Sequence, residues 1–295
     1  MTPRFGRVLT AMISPFDEDG SLDIEGAQKL AKWLVEQGNE GLVIAGTTGE
    51  SPTLTHEEQI GLIASVVEAV DVPVIAGAGS NDTRAAIELT ERCTEVGASG
   101  ILTVTPYYNR PSQSGLLSHF SAIAKSTDLP VMLYDIPIRS GRKIDTSTIL
   151  QLADEVDNIV ALKDAAGDVA ETARLITAAP EGFEVYSGED SLTLPLLSVG
   201  AVGTVSVASH WSTPETAELM KAYFEGDFLR ASEINQRLLP SYEFESGDLT
   251  PNPIPTKAMM KILDLPGGDC RLPMGPEPEW LADKARGILS GLGRG

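Results

Sequence analysis

Val131-Met132-Leu133-Tyr134-Asp135 and Ile159-Val160-Ala161-Leu162-Lys163 are the stretches on which the fold turns. Each is apolar almost to its end, with no polar residue at alternate positions. Strands with one face in water alternate; strands covered on both faces read as continuous apolar runs. Their starts lie about 28 residues apart, room for a strand, a crossover helix and two turns, as a parallel β-α-β unit requires. Outward from this pair the texture repeats at Val8–Met12, Gly41–Ala45, Pro73–Ala76, Ile101–Thr105, Glu184–Ser187 and Thr204–Val207. Successive starts are spaced by roughly 20 to 33 residues. Eight strand–helix units predict an α/β protein built as a (β/α)8 TIM barrel. A doubly wound open sheet is the alternative, but no Gly-rich dinucleotide fingerprint opens the first unit.

Helix signals fall between the runs. Thr55-His56-Glu57-Glu58 reads as a capping box, with Thr55 as N-cap and Glu58 reaching back. Thr213-Pro214 places an N-cap before a proline suited to the first helical position. Gly38 and Gly97 stand where helices should stop. Past Gly226 only helical patterns remain, at Asp227–Leu239, Thr256–Leu263 and Glu279–Leu289, with the proline-rich connector Thr250–Pro255 between the first two. The expected organisation is a barrel over residues 1–225 and a C-terminal helical appendage over 226–295.

The chain has 295 residues and a formal net charge of −20. That field repels a polyanion, and no Lys/Arg cluster offsets it, so nucleic-acid binding is not expected. No apolar run approaches the roughly 20 residues of a membrane-spanning helix. The short run Val8–Ile13 soon meets Asp17, Glu18 and Asp19, and reads as a first strand rather than a signal peptide. Cys93 and Cys270 make no disulfide framework. Both are expected to be free thiols of a cytoplasmic protein.

In a barrel of this type the chemistry gathers at the C-terminal ends of the strands. Lys163 closes its run there. Desolvation would favour its neutral amine, which could attack a ketone and form an imine; on the strand alone, a lysine snorkelling to the rim is the simpler reading. Gly46-Thr47-Thr48-Gly49-Glu50 follows the second strand. Its backbone N–H groups and hydroxyls could cradle a carboxylate, although many such turns are rich in Gly and Thr. Tyr107 and Tyr108 follow the fourth strand and Tyr134 ends the fifth. They could move protons or simply pack with a hydroxyl at the rim. Arg139 could clamp a carboxylate or sit in a surface ion pair. The three histidines, His56, His119 and His210, have no metal-ligand spacing.

Together these segments resemble the dihydrodipicolinate synthase and N-acetylneuraminate lyase family. The matching stretches are Gly46–Ser51, Thr105–Gln113, Leu133–Pro137, Ala161–Gly167, Ser187–Asp190, Asn252–Lys257 and Arg271–Met274. They run in order along nearly the whole chain. Arg139, two residues past Pro137, and the run Tyr107-Tyr108-Asn109-Arg110-Pro111-Ser112-Gln113 are similar to the synthase branch; the sialic-acid lyases lack that arginine. The resemblance implies a Schiff-base enzyme that joins pyruvate to aspartate semialdehyde with no metal or organic cofactor. An aldolase of the same family, acting on a sugar acid or another 2-keto acid, is the alternative.

By the same resemblance, Lys163 forms the imine, and Tyr134, Thr47 and Tyr108 form a proton relay. Tyr108 reaches in from a neighbouring subunit of a homotetramer. Thr48 and its turn hold the pyruvate carboxylate, Val205 contacts pyruvate through its backbone, Gly188 borders the substrate and Arg139 grips the aldehyde's carboxylate. Two departures stand out. Asp135 occupies a position where many members carry Asn, with an expected effect on the hydrogen bonding around Tyr134. Ser51, His56, Asn81 and Tyr107 match a lysine feedback site, but Ala85 and Gln59 replace its expected glutamate and histidine. An unpaired ammonium at a partly buried site is costly, so weak or absent feedback by lysine is expected.

Overall fold

The structure, a computed structural model, describes residues 2–245 and 247–294. Eight strands close into one parallel barrel in sequence order: β1 (Val8–Ala11), β2 (Gly41–Ile44), β3 (Val74–Gly77), β4 (Gly100–Val104), β5 (Val131–Asp135), β6 (Ile159–Asp164), β7 (Glu184–Ser187) and β8 (Gly203–Ser206). β1 pairs with both β2 and β8, which closes the ring. Each strand lies within one residue, at each end, of the run that predicted it.

The crossovers carry α1 (Ile24–Glu36), α2 (His56–Ala69), α3 (Thr83–Glu95), α4 (Gln113–Ala124), the short α5 (Pro137–Ser140), α6 (Thr146–Glu155), α7 (Val169–Ala178) and α8 (Thr193–Ser198). After β8 come α9 (Ser209–Phe224), α10 (Phe228–Glu245), α11 (Ile254–Ile262) and α12 (Trp280–Gly291). No helix among the described residues is long and apolar enough to cross a membrane.

Two apolar layers explain the continuous runs. Leu9, Val43, Ile75, Leu102, Met132 and Ala161 fill the barrel interior with Tyr186 and Val205. The alternate residues Val8, Leu42, Ile44, Val74, Ile101 and Leu133 join the larger core between barrel and helices. Each strand is therefore buried on both faces, and neither face needs polar residues.

The local signals act as expected in most places. Glu58 N donates to Thr55 Oγ1 and Thr55 N donates to Glu58, forming the capping box of α2. Gly38 and Gly97 follow α1 and α3 with φ of +107° and +86°, the left-handed region that stops a helix. Thr213-Pro214 departs from expectation. The helix begins earlier, at Ser209, and breaks at Ser212, whose φ/ψ of −126°/22° is non-helical. Pro214 has no N–H and crowds the preceding turn, so the break falls ahead of it. The Thr213 hydroxyl turns back to the Ser209 carbonyl instead of capping a new helix. Cys93 and Cys270 are both unpaired.

Candidate active site

Alternation along β5 and β6 sets the centre of the site. Met132 and Ala161 point into the barrel, so Tyr134 and Lys163, two residues further, point inward at its C-terminal mouth. The register pairs Tyr134 with Lys163 directly. Lys163 Nζ sits 4.3 Å from the centroid of the Tyr134 ring. Both side chains are almost fully buried, at 5% and 4% exposure.

Burial sets the acidity of both groups. It pulls the Lys163 ammonium down to about 8, against the opposing charge of Asp190. It pushes the Tyr134 phenol up to about 12, against a hydrogen bond to Thr47 and the charge of Arg139. Lys163 thus keeps a usable fraction of neutral amine, and Tyr134 keeps its proton.

Gly188 makes room for the lysine. A Cβ there would stand 2.9 Å from Lys163 Cγ and 3.0 Å from Lys163 Cε. Its N–H donates to the Asp164 carbonyl at 2.7 Å, which fixes the backbone under the amine. Val205 is 1% exposed in the barrel wall on β8.

The turn after β2 brings Thr47 and Thr48 to the same mouth. The residues with left-handed backbone are Ala45 (φ 57°) and Glu50 (φ 53°) rather than the two glycines. Glu50 N donates to the Thr47 carbonyl and Ser51 N to the Gly46 carbonyl. Among the described residues, the N–H groups of Thr47 and Thr48 meet no protein acceptor. Two free donors in one turn suit a carboxylate.

An open cleft reaches from Thr47 past Tyr107 and Val104 to Arg139. Deeper, a recess lined by Thr47, Gly77, Leu102 and Tyr134 continues it. Arg139 therefore stands across the cleft from Thr47, on the exposed side of α5. Tyr108 is the one proposed relay residue that the single chain does not bring in. Its side chain is 89% exposed, on a backbone with φ of 73°.

Three contacts at the mouth were not legible from the motifs. Asn252, in the proline-rich connector, donates from Nδ2 to Thr48 Oγ1 at 2.9 Å. Lys257 Nζ lies 2.7 Å from Glu50 Oε1, an ion pair rather than an aligned hydrogen bond, with both side chains 2% exposed. Glu245, at the end of α10, is 7% exposed beside Asp190. The only sequence signal for the first two was their place in the stretch Asn252–Lys257; Glu245 lies in no motif. Asp135 shares a donor with Tyr134: Thr105 Oγ1 reaches the Tyr134 carbonyl at 3.0 Å as well as the Asp135 carboxylate. Its carboxylate faces away from the barrel, accepting from Ile144 N at 3.2 Å and Thr105 Oγ1 at 3.4 Å, with Lys143 Nζ at 3.7 Å. Burial pushes it up to about 6.

His210 serves the scaffold. Ile13 N donates to His210 Nε2 at 3.1 Å, which leaves the Nδ1–H to donate to the Val207 carbonyl at 2.8 Å. Among the described residues, no group of three or more His, Cys, Asp or Glu side chains is placed to hold a metal ion.

The sequence pattern of the Dihydrodipicolinate synthetase family matches residues 4–291. The chain belongs to that family. A 4-hydroxy-tetrahydrodipicolinate synthase of Moorella thermoacetica is 48% identical over 273 residues, covering 92% of each chain. A dihydrodipicolinate synthase structure from Bacillus anthracis superposes with a TM-score of 0.94 at 44% identity, covering 98% of this chain and 99% of that one. A Cyanidioschyzon merolae dihydrodipicolinate synthase, solved with lysine bound, gives a TM-score of 0.96 at 42% identity over 99% of both chains. Membership in the dihydrodipicolinate synthetase family agrees with the resemblance read from the strand-end motifs.

Proposed function

We propose that this chain condenses pyruvate with L-aspartate 4-semialdehyde to give 4-hydroxy-tetrahydrodipicolinate, through an imine on Lys163. The observation that carries the reading is Lys163 itself. It is a buried amine held down at about 8, stacked over Tyr134 in a barrel mouth whose cleft runs from Thr47 to Arg139.

The Lys163 amine attacks C2 of pyruvate, and the carbonyl oxygen leaves as water. The imine then draws electrons from the methyl group, which loses a proton to give an enamine. The enamine carbon attacks the aldehyde. The substrate's own amine closes on C2 and expels Lys163 as the free amine. Tyr134, protonated at neutral pH and hydrogen-bonded to Thr47, is suited to passing protons through these steps. The Thr47–Thr48 turn holds the pyruvate carboxylate, Val205 borders pyruvate through its backbone, and Gly188 keeps the space beside the lysine. Arg139 receives the carboxylate of the aldehyde.

The working unit in this reading is a homotetramer of two dimers in the cytoplasm. The exposed Tyr108 of one protomer enters the neighbour's site and ends the Thr47–Tyr134 relay.

Borohydride trapping with pyruvate, followed by peptide mapping, tests the central step: the adduct belongs on Lys163. An adduct elsewhere, or none, refutes it. Arg139→Ala should raise KM for the semialdehyde by at least tenfold and leave trapping with pyruvate intact. Unchanged KM would favour an aldolase acting on another 2-keto acid.

A further inference from the structure

Between β5 and α6, residues 136–143 leave the barrel, and Ile136, Arg139 and Ser140 line the cleft. This excursion is stiff within itself. Arg139 N and Ser140 N donate to the Ile136 carbonyl, Gly141 N donates to the Pro137 carbonyl, and Ser140 Oγ donates to the Arg142 carbonyl at 2.7 Å. Arg139 is exposed, and among the described residues no hydrogen bond or ion pair holds its guanidinium. Its place over the cleft is therefore set by how the excursion sits on the barrel. Asp135 ties it down. The Asp135 carbonyl accepts from Ala165 N at 2.9 Å, which fixes that residue to the end of β6. Its Oδ1 accepts from Ile144 N at 3.2 Å, nine residues on, and its Oδ2 lies 3.7 Å from Lys143 Nζ. Lys143 Nζ lies 3.3 Å from Glu171 Oε2 on α7 as well. One carboxylate thus joins the two ends of the excursion. It is 1% exposed, and bonds to an ionised acceptor are the strong ones. Arg142 Nε donates to the Pro111 carbonyl at 2.5 Å and Gln113 Nε2 to the Lys143 carbonyl at 3.0 Å. Those two bonds fix the excursion sideways, against the start of α4; Asp135 is what returns it to β5.

We propose that Asp135 is a positioning residue for the second substrate: its carboxylate clasps the two ends of residues 136–143 and so holds Arg139 over the cleft. Its purpose rests on the reading of Arg139 as the group that receives the aldehyde's carboxylate; the clasp itself is read from the contacts. The chemistry asks for a carboxylate, or in part for its amide. Ionised Asp135 accepts at both oxygens. Asparagine keeps an acceptor for Ile144 N but turns an NH2 group toward Lys143, so it closes the backbone half of the clasp and not the ion pair. Alanine closes neither. Lys163 and Tyr134 do not depend on the clasp, because the ladder between β5 and β6 pairs them directly. Thr105 Oγ1 also keeps its acceptor at the Tyr134 carbonyl. Loss of the clasp therefore falls on the aldehyde and not on pyruvate.

Kinetics and amide hydrogen exchange on the full chain test this at pH 8, where a carboxyl held at about 6 is ionised. Asp135→Ala should raise KM for the semialdehyde about tenfold and change the rate of borohydride trapping with pyruvate by less than about twofold. Asp135→Asn, and Lys143→Met, which breaks only the ion pair, should each stay within about threefold of the unaltered chain in that KM. Peptides covering residues 136–144 should exchange about tenfold faster in Asp135→Ala, with peptides from β5 and β6 unchanged. Unchanged exchange over residues 136–144 overturns the proposal, as does trapping that falls as far as semialdehyde binding, or an asparagine variant as damaged as the alanine one. If Asp135→Ala does not fold, Lys143→Met decides: exchange over residues 136–144 should rise about threefold with trapping intact, and no rise overturns the proposal. An unchanged semialdehyde KM in Arg139→Ala would overturn the reading of Arg139 and with it the purpose of the clasp, while the exchange result would still decide whether the clasp exists.

Discussion

The acidity of Lys163 gives the reaction a definite pH dependence. At pH 7 an amine with a pKa of about 8 is roughly one-tenth neutral, while an ordinary lysine near 10.4 is about one part in 2,500 neutral. The site, chiefly through burial, therefore makes the amine roughly 200-fold more available. The rate of imine formation, followed by quenching with borohydride in saturating pyruvate, should rise about ninefold from pH 6 to pH 7 and less than twofold from pH 8 to pH 9. A rate still climbing tenfold per pH unit through pH 9 would mean an ordinary lysine and refute the reasoning. The same burial has a stability signature. Between pH 8 and 10.5 the unfolded chain binds a proton at this residue that the folded chain lacks, so its contribution to stability rises with pH through that window. Lys163→Met should abolish the rise, eliminate activity, and stabilise the fold at pH 7 by up to roughly 3 kcal/mol. Unfolding in urea at pH 7 and pH 10 measures this directly.

Other positions lead to sharper or simpler tests. Asn252→Ala removes the donor to Thr48 and should cost about 1 kcal/mol of pyruvate binding, a several-fold rise in KM for pyruvate with little change in melting temperature. Lys257→Met leaves Glu50 as a buried carboxylate without its cation and should destabilise by about 3–5 kcal/mol. The double variant with Glu50→Gln should recover much of that in a thermal melt; no recovery would mean the two do not act as a pair. Submillimolar lysine should leave the enzyme uninhibited. Ala85 carries no charge to hold an ammonium, and the Gln59 amide donates to the Ser51 carbonyl at 2.9 Å.

The barrel was legible because burial on both strand faces is written directly into composition. Nothing polar interrupts Val131–Leu133 or Ile159–Leu162, and the first reactive side chains appear where each strand reaches the mouth. Lys163 and Tyr134 were readable for the same reason: period-two alternation places them inward once the strand ends are known. Glu245 was not readable. Its environment is made by Asp190, 55 positions earlier, and no local pattern states that a helix end will return to the β7 loop. Asn252 was read as part of a stiff connector because prolines flank it, whereas the chain turns it into the site, where it is 7% exposed. The Thr213-Pro214 signal misled because a proline marks either a start or a break, and the residues before it were already helical.

These long-range contacts change what the C-terminal helices are for. Asn252 orients Thr48, Lys257 neutralises Glu50, Arg271 grips Glu58 through two nitrogens while its N–H donates to Glu50, and Glu245 meets Asp190. Three of the four meet the β2 turn or the start of α2, and the fourth meets the β7 turn. Glu50 holds a left-handed backbone that costs of order 1 kcal/mol for a non-glycine residue. Its buried carboxylate would be untenable without Lys257. A barrel lacking these helices would therefore keep Lys163 and Tyr134 but lose the conformation of the turn that carries Thr47 and Thr48. The strands deliver Lys163 and Tyr134; the segment beyond α10 holds the turn that carries Thr47 and Thr48.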